Sequence, residues 1–466
     1  MDVLSYQLED ADQFWDELND ISSWECRSNW TISQALRAYL RLAAMYMDQY
    51  LVSDEDLTKC IHELILSNVF ARNRAYARRI LISILTLEDE LDIATKTLIG
   101  AVLLMDGRRH TSTLEMLEEE EASQKVIDTL WDDRHSSPRL HRLFLELLYE
   151  MCRVQKLRLS DLDTIREDFF DFLFMTVEKS GDDSDPYNLA VMKVLLALNE
   201  QYMIAELSAQ EGQQSIVNKM FKVLKNRADQ YRTFGENLVF LFNRGADVVL
   251  QLMMMKVFYL IFTTPETYEY IYLNDLKVLL SVIVRELNDL SCEEEKLRHT
   301  YLRILHPLLQ NTQLKQEEYK RDQLVAVLES LASEDVSVGP LGEQDNTTQR
   351  LSRRCLGVPW LDYTTPVSTG VSTPILELTP ATTISEPENS AGQNGPGGIA
   401  GATAGIITPV SSEPLPKKST FLGLPKKKPP PRPSPRKLIN LSIRNTSAYD
   451  VASVHDHHHS HHHNHH

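Results

Sequence analysis

Helix breakers are scarce over most of this chain. Only four of its 20 prolines (Pro138, Pro186, Pro265 and Pro307) and six of its 17 glycines precede residue 339. That scarcity leaves residues 1–338 free to be nearly all helix and leaves the remainder too interrupted for it. Apolar alternation of period two is missing as well, which argues against α/β enzyme folds. Cysteine is sparse: Cys26, Cys60, Cys152, Cys292 and Cys355 lie far apart with no CxxC pair, as expected of reduced thiols in a cytosolic protein. No long apolar run occurs. The most apolar stretch, Val248 to Phe262, is too short for a membrane span and contains Gln251 and Lys256, so it reads as a buried core helix. The opening MDVLSYQLED is acidic and lacks a signal-peptide pattern. Nothing matches a phosphate-binding loop, an HExxH helix or a nucleophile elbow. The expectation is a cytoplasmic protein with no enzymatic activity, no cofactor and no bound metal.

Charge divides the chain where the breakers do. Residues 339–466 hold 12 Lys and Arg against 9 Asp and Glu, so the chain's net −18 places −21 on residues 1–338. A body this acidic repels phosphates, which excludes nucleic acid as a partner. It suits basic protein surfaces; a solubility property is the plainer reading.

Polar caps and helical spacing set out the body. An acidic segment carrying Phe14, Trp15, Trp24 and Trp30 reads as a short helix with a turn near Ser22 and Ser23, its aromatics closing the end of a stack. Thr31 with Gln34 reads as a capping box for a helix to about Tyr50, and Ser53 caps the next ahead of Asp54, Glu55 and Asp56. Further helices are expected near 55–69, 71–86, 88–105 and 112–130. A polar cap followed by proline marks three starts, at Ser137, Asp185 and Thr264. Ser160 is expected to cap a helix through Phe174, and Gly212, Gly235 and Gly245 to punctuate the three helices after Asp185. Short connections between helices of this length fit an all-α, armadillo/HEAT-like helical-repeat solenoid over residues 1–335. A globular bundle is the alternative.

The most regular stretch is Tyr272 to Lys320. Leu276, Leu279, Leu280, Ile283, Leu287 and Leu290 share one helical face. Leu297, Tyr301, Ile304, Leu305 and Leu308 share another. Ser291 with Glu294 forms a capping box between them, and Pro307 is expected to kink the second helix. This stretch resembles the leucine-rich domain of the WISH/DIP family, whose fungal members are of the low-dye-binding, endocytic actin-patch type. The resemblance rests on Asn274, Asp275, Leu276, Leu279, Arg285, Glu286 and Leu287, on LRHTYLRILHPLLQNTQ from Leu297 to Gln313 (Arg298, Tyr301, Leu305 and Pro307 within it), and on Tyr319 and Lys320. ALNEQYM from Ala197 and FGENLVFLFNR from Phe234 also match, so roughly the second half of the body is covered. The resemblance implies activation of the Arp two-three (Arp2/3) complex without a preformed filament, giving linear actin filaments in cortical patches during endocytosis. The motif residues are core or complex-facing. For Arg285, Glu286 and Arg298 a partner contact competes with a helix–helix salt bridge or a solvated face. His299 and His306 read as packed or capping. A helical-repeat scaffold with no effect on actin is the competing reading.

Beyond the body, residues 336–413 read as a disordered linker, too poor in apolar residues to offset ordering entropy. Pro359, Trp360 and Leu361 are its sticky patch, and Arg353 to Leu361 has the composition to dock back on the body. Residues 414–444 are proline-rich, with nine basic and no acidic residues. Lys427, Pro430 and Pro433 match a basic-first SH3 ligand, and Pro431, Pro435 and Arg436 match the alternative form. Such sequence is already extended as polyproline II, so docking costs little further entropy. The expected readers are SH3 proteins of endocytic patches; a solvated tail is the plainer reading. Residues 445–466 hold nine of the 15 histidines and read as a low-complexity tail rather than a metal site.

Overall fold

The computed structural model describes residues 8–362, apart from 89, 181–184, 209–215 and 334–346. All regular structure in the described residues is helical; they contain no strand. The first helices are α1 (Ala11–Ser22), α2 (Asn29–Met45), α3 (Met47–Tyr50), α4 (Asp54–Leu66), α5 (Asn68–Ala71), α6 (Arg74–Leu87) and α7 (Ile93–Arg109). Then come α8 (Thr111–Glu119), α9 (Ser123–Asp132), α10 (Pro138–Val154), α11 (Leu159–Thr164), α12 (Glu167–Lys179) and α13 (Pro186–Ser208). The last are α14 (Lys219–Asn226), α15 (Arg232–Asn243), α16 (Val248–Thr263), α17 (Leu273–Asp289), α18 (Glu295–Asn311), α19 (Arg321–Ser333) and α20 (Thr347–Leu356).

Packing runs between neighbours. One row of helices, α2, α7, α10, α13, α16, α18 and α20, packs each on the next. A second row, α12, α15, α17 and α19, does the same. This is the arrangement of a helical-repeat stack, in which each unit buries its apolar face only against adjacent units. Middle helices of the first row are covered on several sides. Hence α7 is buried continuously from Thr97 to Leu104, and α13 buries both its Leu195–Leu198 run and the polar Asn188, Asn199 and Gln201. Gln201 bridges helices: its amide donates to the carbonyls of Cys152 (2.9 Å) and Gln155 (3.0 Å), and its oxygen accepts from the Leu157 amide. The Val248–Phe262 run is α16, in the core row, and no described helix is long and apolar enough to cross a membrane. Cys26, Cys60, Cys152 and Cys355 are free thiols.

Several boundaries differ from the sequence reading, each for a local reason. The cap of α2 is Ser28, not Thr31. The Ser28 hydroxyl accepts from the Thr31 amide (3.2 Å), and the Thr31 hydroxyl accepts from the Ser28 amide (3.1 Å). Thr31 is therefore the third helical residue of a box that starts one turn earlier. The span at 112–130 is two helices, because Glu121 adopts φ +57°. Ser160 does not cap a helix to Phe174. The Thr164 hydroxyl folds back on the Asp161 carbonyl (2.7 Å), closing α11, and Glu167 and Asp168 open α12 at its positive end. Thr264 and Pro265 begin only a single 3-10 turn. Gly235 lies inside α15, where a Cβ would sit 2.9 Å from Cε1 of the buried Tyr270. Gly245, at φ +77° just past α15, does punctuate. Gly212 lies outside the described residues.

The stretch that composition assigns to linker contains ordered structure. Helix α20 packs on α18 and α19, burying Leu351 and Cys355. The turn Pro359–Leu361 follows, with Val358 and Leu361 buried. Trp360 Nε1 donates to the Leu309 carbonyl (2.9 Å), and Arg321 donates to the Asp362 carbonyl (2.8 Å). So the docking expected of Arg353 to Leu361 occurs, and the body continues to at least Asp362.

Near the other end, a charge lies fully inside. Asp106 of α7 is 0% exposed. Arg78 of α6 donates to it at 2.6 Å and the Thr113 hydroxyl at 2.7 Å, while Arg74 Nε stands 3.6 Å away. Arg78 continues to the Ser112 hydroxyl (2.9 Å), and Arg74 meets His110 Nε2 (2.8 Å). The network ties α6, α7 and the start of α8.

Candidate functional site

The leucine-rich pair is α17 and α18. Leu276, Leu279, Leu280, Ile283 and Leu287 are buried on α17; Tyr301, Leu302, Ile304, Leu305, Leu308 and Leu309 are buried on α18, with Leu297 half-buried. The Ser291 box forms as expected: the Glu294 carboxylate accepts from the Ser291 amide (3.1 Å) and hydroxyl (3.0 Å). It opens a 3-10 turn, Cys292–Glu294, that leads into α18. Tyr301 packs edge-on against Phe242, and burial raises its phenol above the ordinary range.

The charged motif residues separate in role. Arg298 is neither an ion pair nor a solvated side chain. It is 6% exposed, and one guanidinium nitrogen donates to the carbonyls of Leu290 (3.0 Å) and Ser291 (2.9 Å). It thereby closes the carbonyl end of α17 from the next helix. Arg285 is exposed and pairs with its neighbour Glu286 at 2.9 Å. His299 is buried, with Nε2 2.8 Å from the Thr348 hydroxyl, which joins α18 to α20. His306 is half-buried, and burial and then Arg354 hold its pKa below the usual value. Pro307 is buried within α18. Having no amide, it leaves the Arg303 carbonyl without its helical donor. At the end of α18, the Thr312 hydroxyl donates to the Leu308 carbonyl (2.6 Å) and Trp360 serves Leu309. The Asn311 amide caps α16 at the Phe262 carbonyl (2.8 Å).

Two concavities flank the pair. One, about 1090 Å³, lies where α12 ends and α15 and α17 begin. Its wall carries Glu178, Glu236, Asn274 and Asp275 beside the exposed rings of Phe240 and Tyr272. Glu178 caps α15, accepting from the Thr233 amide (2.8 Å) and hydroxyl (2.8 Å). Asn274 is exposed. Asp275 is half-buried in the first turn of α17, with its carboxyl raised by burial. The other concavity, about 670 Å³, lies between α16, α18 and α20 and is lined by Arg303, His306, Arg350 and Arg354 with no carboxylate. Sequence reasoning did not find this second surface. One wall of it, with Arg350, Leu351 and Arg354, belongs to α20, whose Leu351 and Cys355 keep helical spacing inside a stretch otherwise poor in apolar residues. Lys427, Pro430, Pro431, Pro433, Pro435 and Arg436 lie outside the described residues.

Comparison with known proteins places the chain in company. The family model for the SPIN90/Ldb17 leucine-rich domain matches residues 184–324, which is α13 into α19. Protein LDB17 of Saccharomyces cerevisiae is 30% identical over 429 residues, covering 80% of this chain and 86% of that protein. Protein LDB17 of Eremothecium gossypii is 30% identical over 373 residues (73% and 80%), and protein dip1 of Schizosaccharomyces pombe 29% over 364 residues (76% and 95%).

Proposed function

Because this chain belongs to the SPIN90/Ldb17 leucine-rich domain family, the WISH/DIP group, we propose that it activates the Arp2/3 complex without a preformed filament and so seeds linear actin filaments in cortical endocytic patches. The observation that carries the reading is the match over α13 to α19 together with alignment to relatives over most of the chain. The mechanism is differential binding on a body of armadillo/HEAT type. A rigid stack that fits the complex better when its two actin-related subunits are arranged as in a filament end shifts the complex toward that arrangement.

The face we assign to this contact is the concavity at the start of α17. Leu276, Leu287, Tyr301 and Leu305 are taken up by the core and Arg298 by backbone carbonyls. Asn274 and Asp275 are not, and they stand in the first turn of α17 beside Phe240, Tyr272 and Glu178. An acidic, aromatic concavity suits a basic, apolar ridge on a partner. The tail segment 414–444 recruits SH3 proteins and the chain between tethers the two activities, raising the local concentration of body near patch components.

The test is pyrene-actin assembly with purified Arp2/3 complex and the full chain, without added seeds, imaged for filament shape. Accelerated assembly into unbranched filaments, weakened by Asn274→Ala with Asp275→Asn, is the expected result. No acceleration by a folded protein, with the complex responsive to other activators, leaves the scaffold reading in place.

A further inference from the structure

The groove between α16, α18 and α20 is out of keeping with the rest of the molecule. Residues 1–338 carry −21, yet the groove has no Asp or Glu on its walls. Many arginines elsewhere lie against carboxylates, as in Arg37 with Glu88, Arg79 with Glu120, Arg108 with Glu146 and Arg227 with Asp171. Arg303, Arg350 and Arg354 are exposed and have no ion-pair partner among the described residues. Two helices deliver them. Arg350 and Arg354 stand one turn apart on α20, and Arg303 and His306 share the open face of α18. Between the cations are apolar contacts, with Tyr259 42% exposed and Pro307 in the floor.

We propose that this groove binds an acidic peptide segment of a partner protein. Carboxylates of the segment meet Arg303, Arg350 and Arg354, and an aromatic or large aliphatic side chain between them rests on Tyr259 and Pro307. Arginine suits the task because its planar fork takes a carboxylate through two parallel hydrogen bonds. The groove's volume is within the range of ligand-sized clefts. Charge reach decides between a peptide and an anionic bilayer. Screening confines each charge to about 8 Å at physiological salt, so a peptide inside the groove meets only its guanidiniums. A bilayer extends past the rim onto the surrounding acidic surface and is repelled. The surface goes beyond the matched leucine-rich region, since α20 lies outside residues 184–324. It does not depend on the Arp2/3 reading.

The test uses the full-length protein and fluorescence polarisation. The probe is a labelled peptide with a central Trp flanked by Glu and Asp; its control replaces every acid by Gln or Asn. The acidic peptide is expected to bind, more weakly as salt rises, and the control to bind at least about tenfold more weakly. Arg350→Glu with Arg354→Glu is expected to weaken the acidic peptide by at least about tenfold, and so, independently, is Arg303→Glu on the opposite wall. All three residues are exposed, so melting curves stay unchanged. Equal binding of the two peptides, or indifference to both sets of charge reversals, overturns the proposal. Cosedimentation with phosphatidylserine vesicles that the reversals abolish, without peptide binding, assigns the groove to lipid and overturns it as well.

Discussion

Leu361→Ala tests whether the segment after α19 is part of the body. Leu361 is 2% exposed, in the turn that Trp360 and Arg321 pin to α18 and to the start of α19. Truncating a leucine buried this fully costs the lost transfer free energy plus that of the cavity, about 3 kcal/mol within a range of roughly 2–5. In a stack of nearest neighbours that loss stays local. Helix α20 then opens in sub-global steps about a hundred times more often, since each 1.4 kcal/mol is about a factor of ten. Hydrogen exchange read by mass spectrometry reports it directly. Amides of α20 lose about a hundredfold in protection, and those of α7 and α10 keep theirs. Unchanged exchange in α20 refutes the docking; an equal loss along the whole chain refutes nearest-neighbour stacking.

Three further outcomes are expected. Gly235→Ala destabilises by about 1–3 kcal/mol, less the roughly 1 kcal/mol that alanine gains in a helix, because its Cβ meets the buried Tyr270 ring at 2.9 Å; urea denaturation measures the net. Arg298→Leu lowers the urea midpoint by the equivalent of about 1–3 kcal/mol, since the Leu290 and Ser291 carbonyls lose their donor, and Arg298→Lys restores part of it. His141 is 1% exposed between the Leu130 carbonyl and the Tyr187 hydroxyl, and burial lowers its pKa to about 4. The unfolded chain therefore takes up the proton first, so stability is complete above about pH 6.5 and falls by about 3 kcal/mol as pH drops toward 4; His141→Gln flattens that part of the pH profile.

Local chemistry was legible in the residues, and tertiary use of them was not. Ser53 and Ser137 cap as read, because a cap is a matter of a few neighbouring residues. The leucine faces of α17 and α18 follow from spacing alone. Gly235 misled because a glycine that admits a neighbouring ring looks, in sequence, like one that ends a helix. Arg298 misled because its partners are carbonyls, which every residue has. Helix α20 was diluted by its surroundings: Thr348, Leu351 and Cys355 are spaced for a helix, but flanking glycine, threonine and proline lower the apolar content of any window that contains them.

The Asp106 network also bears on how such a chain can drift. Arg78, Asp106 and Thr113 are held by one another in the interior. Loss of Asp106 alone strands a buried guanidinium, at about 3–5 kcal/mol, whereas exchanging the whole set for apolar residues of like volume can be neutral. Single substitutions here pass through an unstable intermediate. Joint exchange of the three is therefore the less costly route, whereas swapping one core leucine for another aliphatic residue of like volume leaves no buried charge behind.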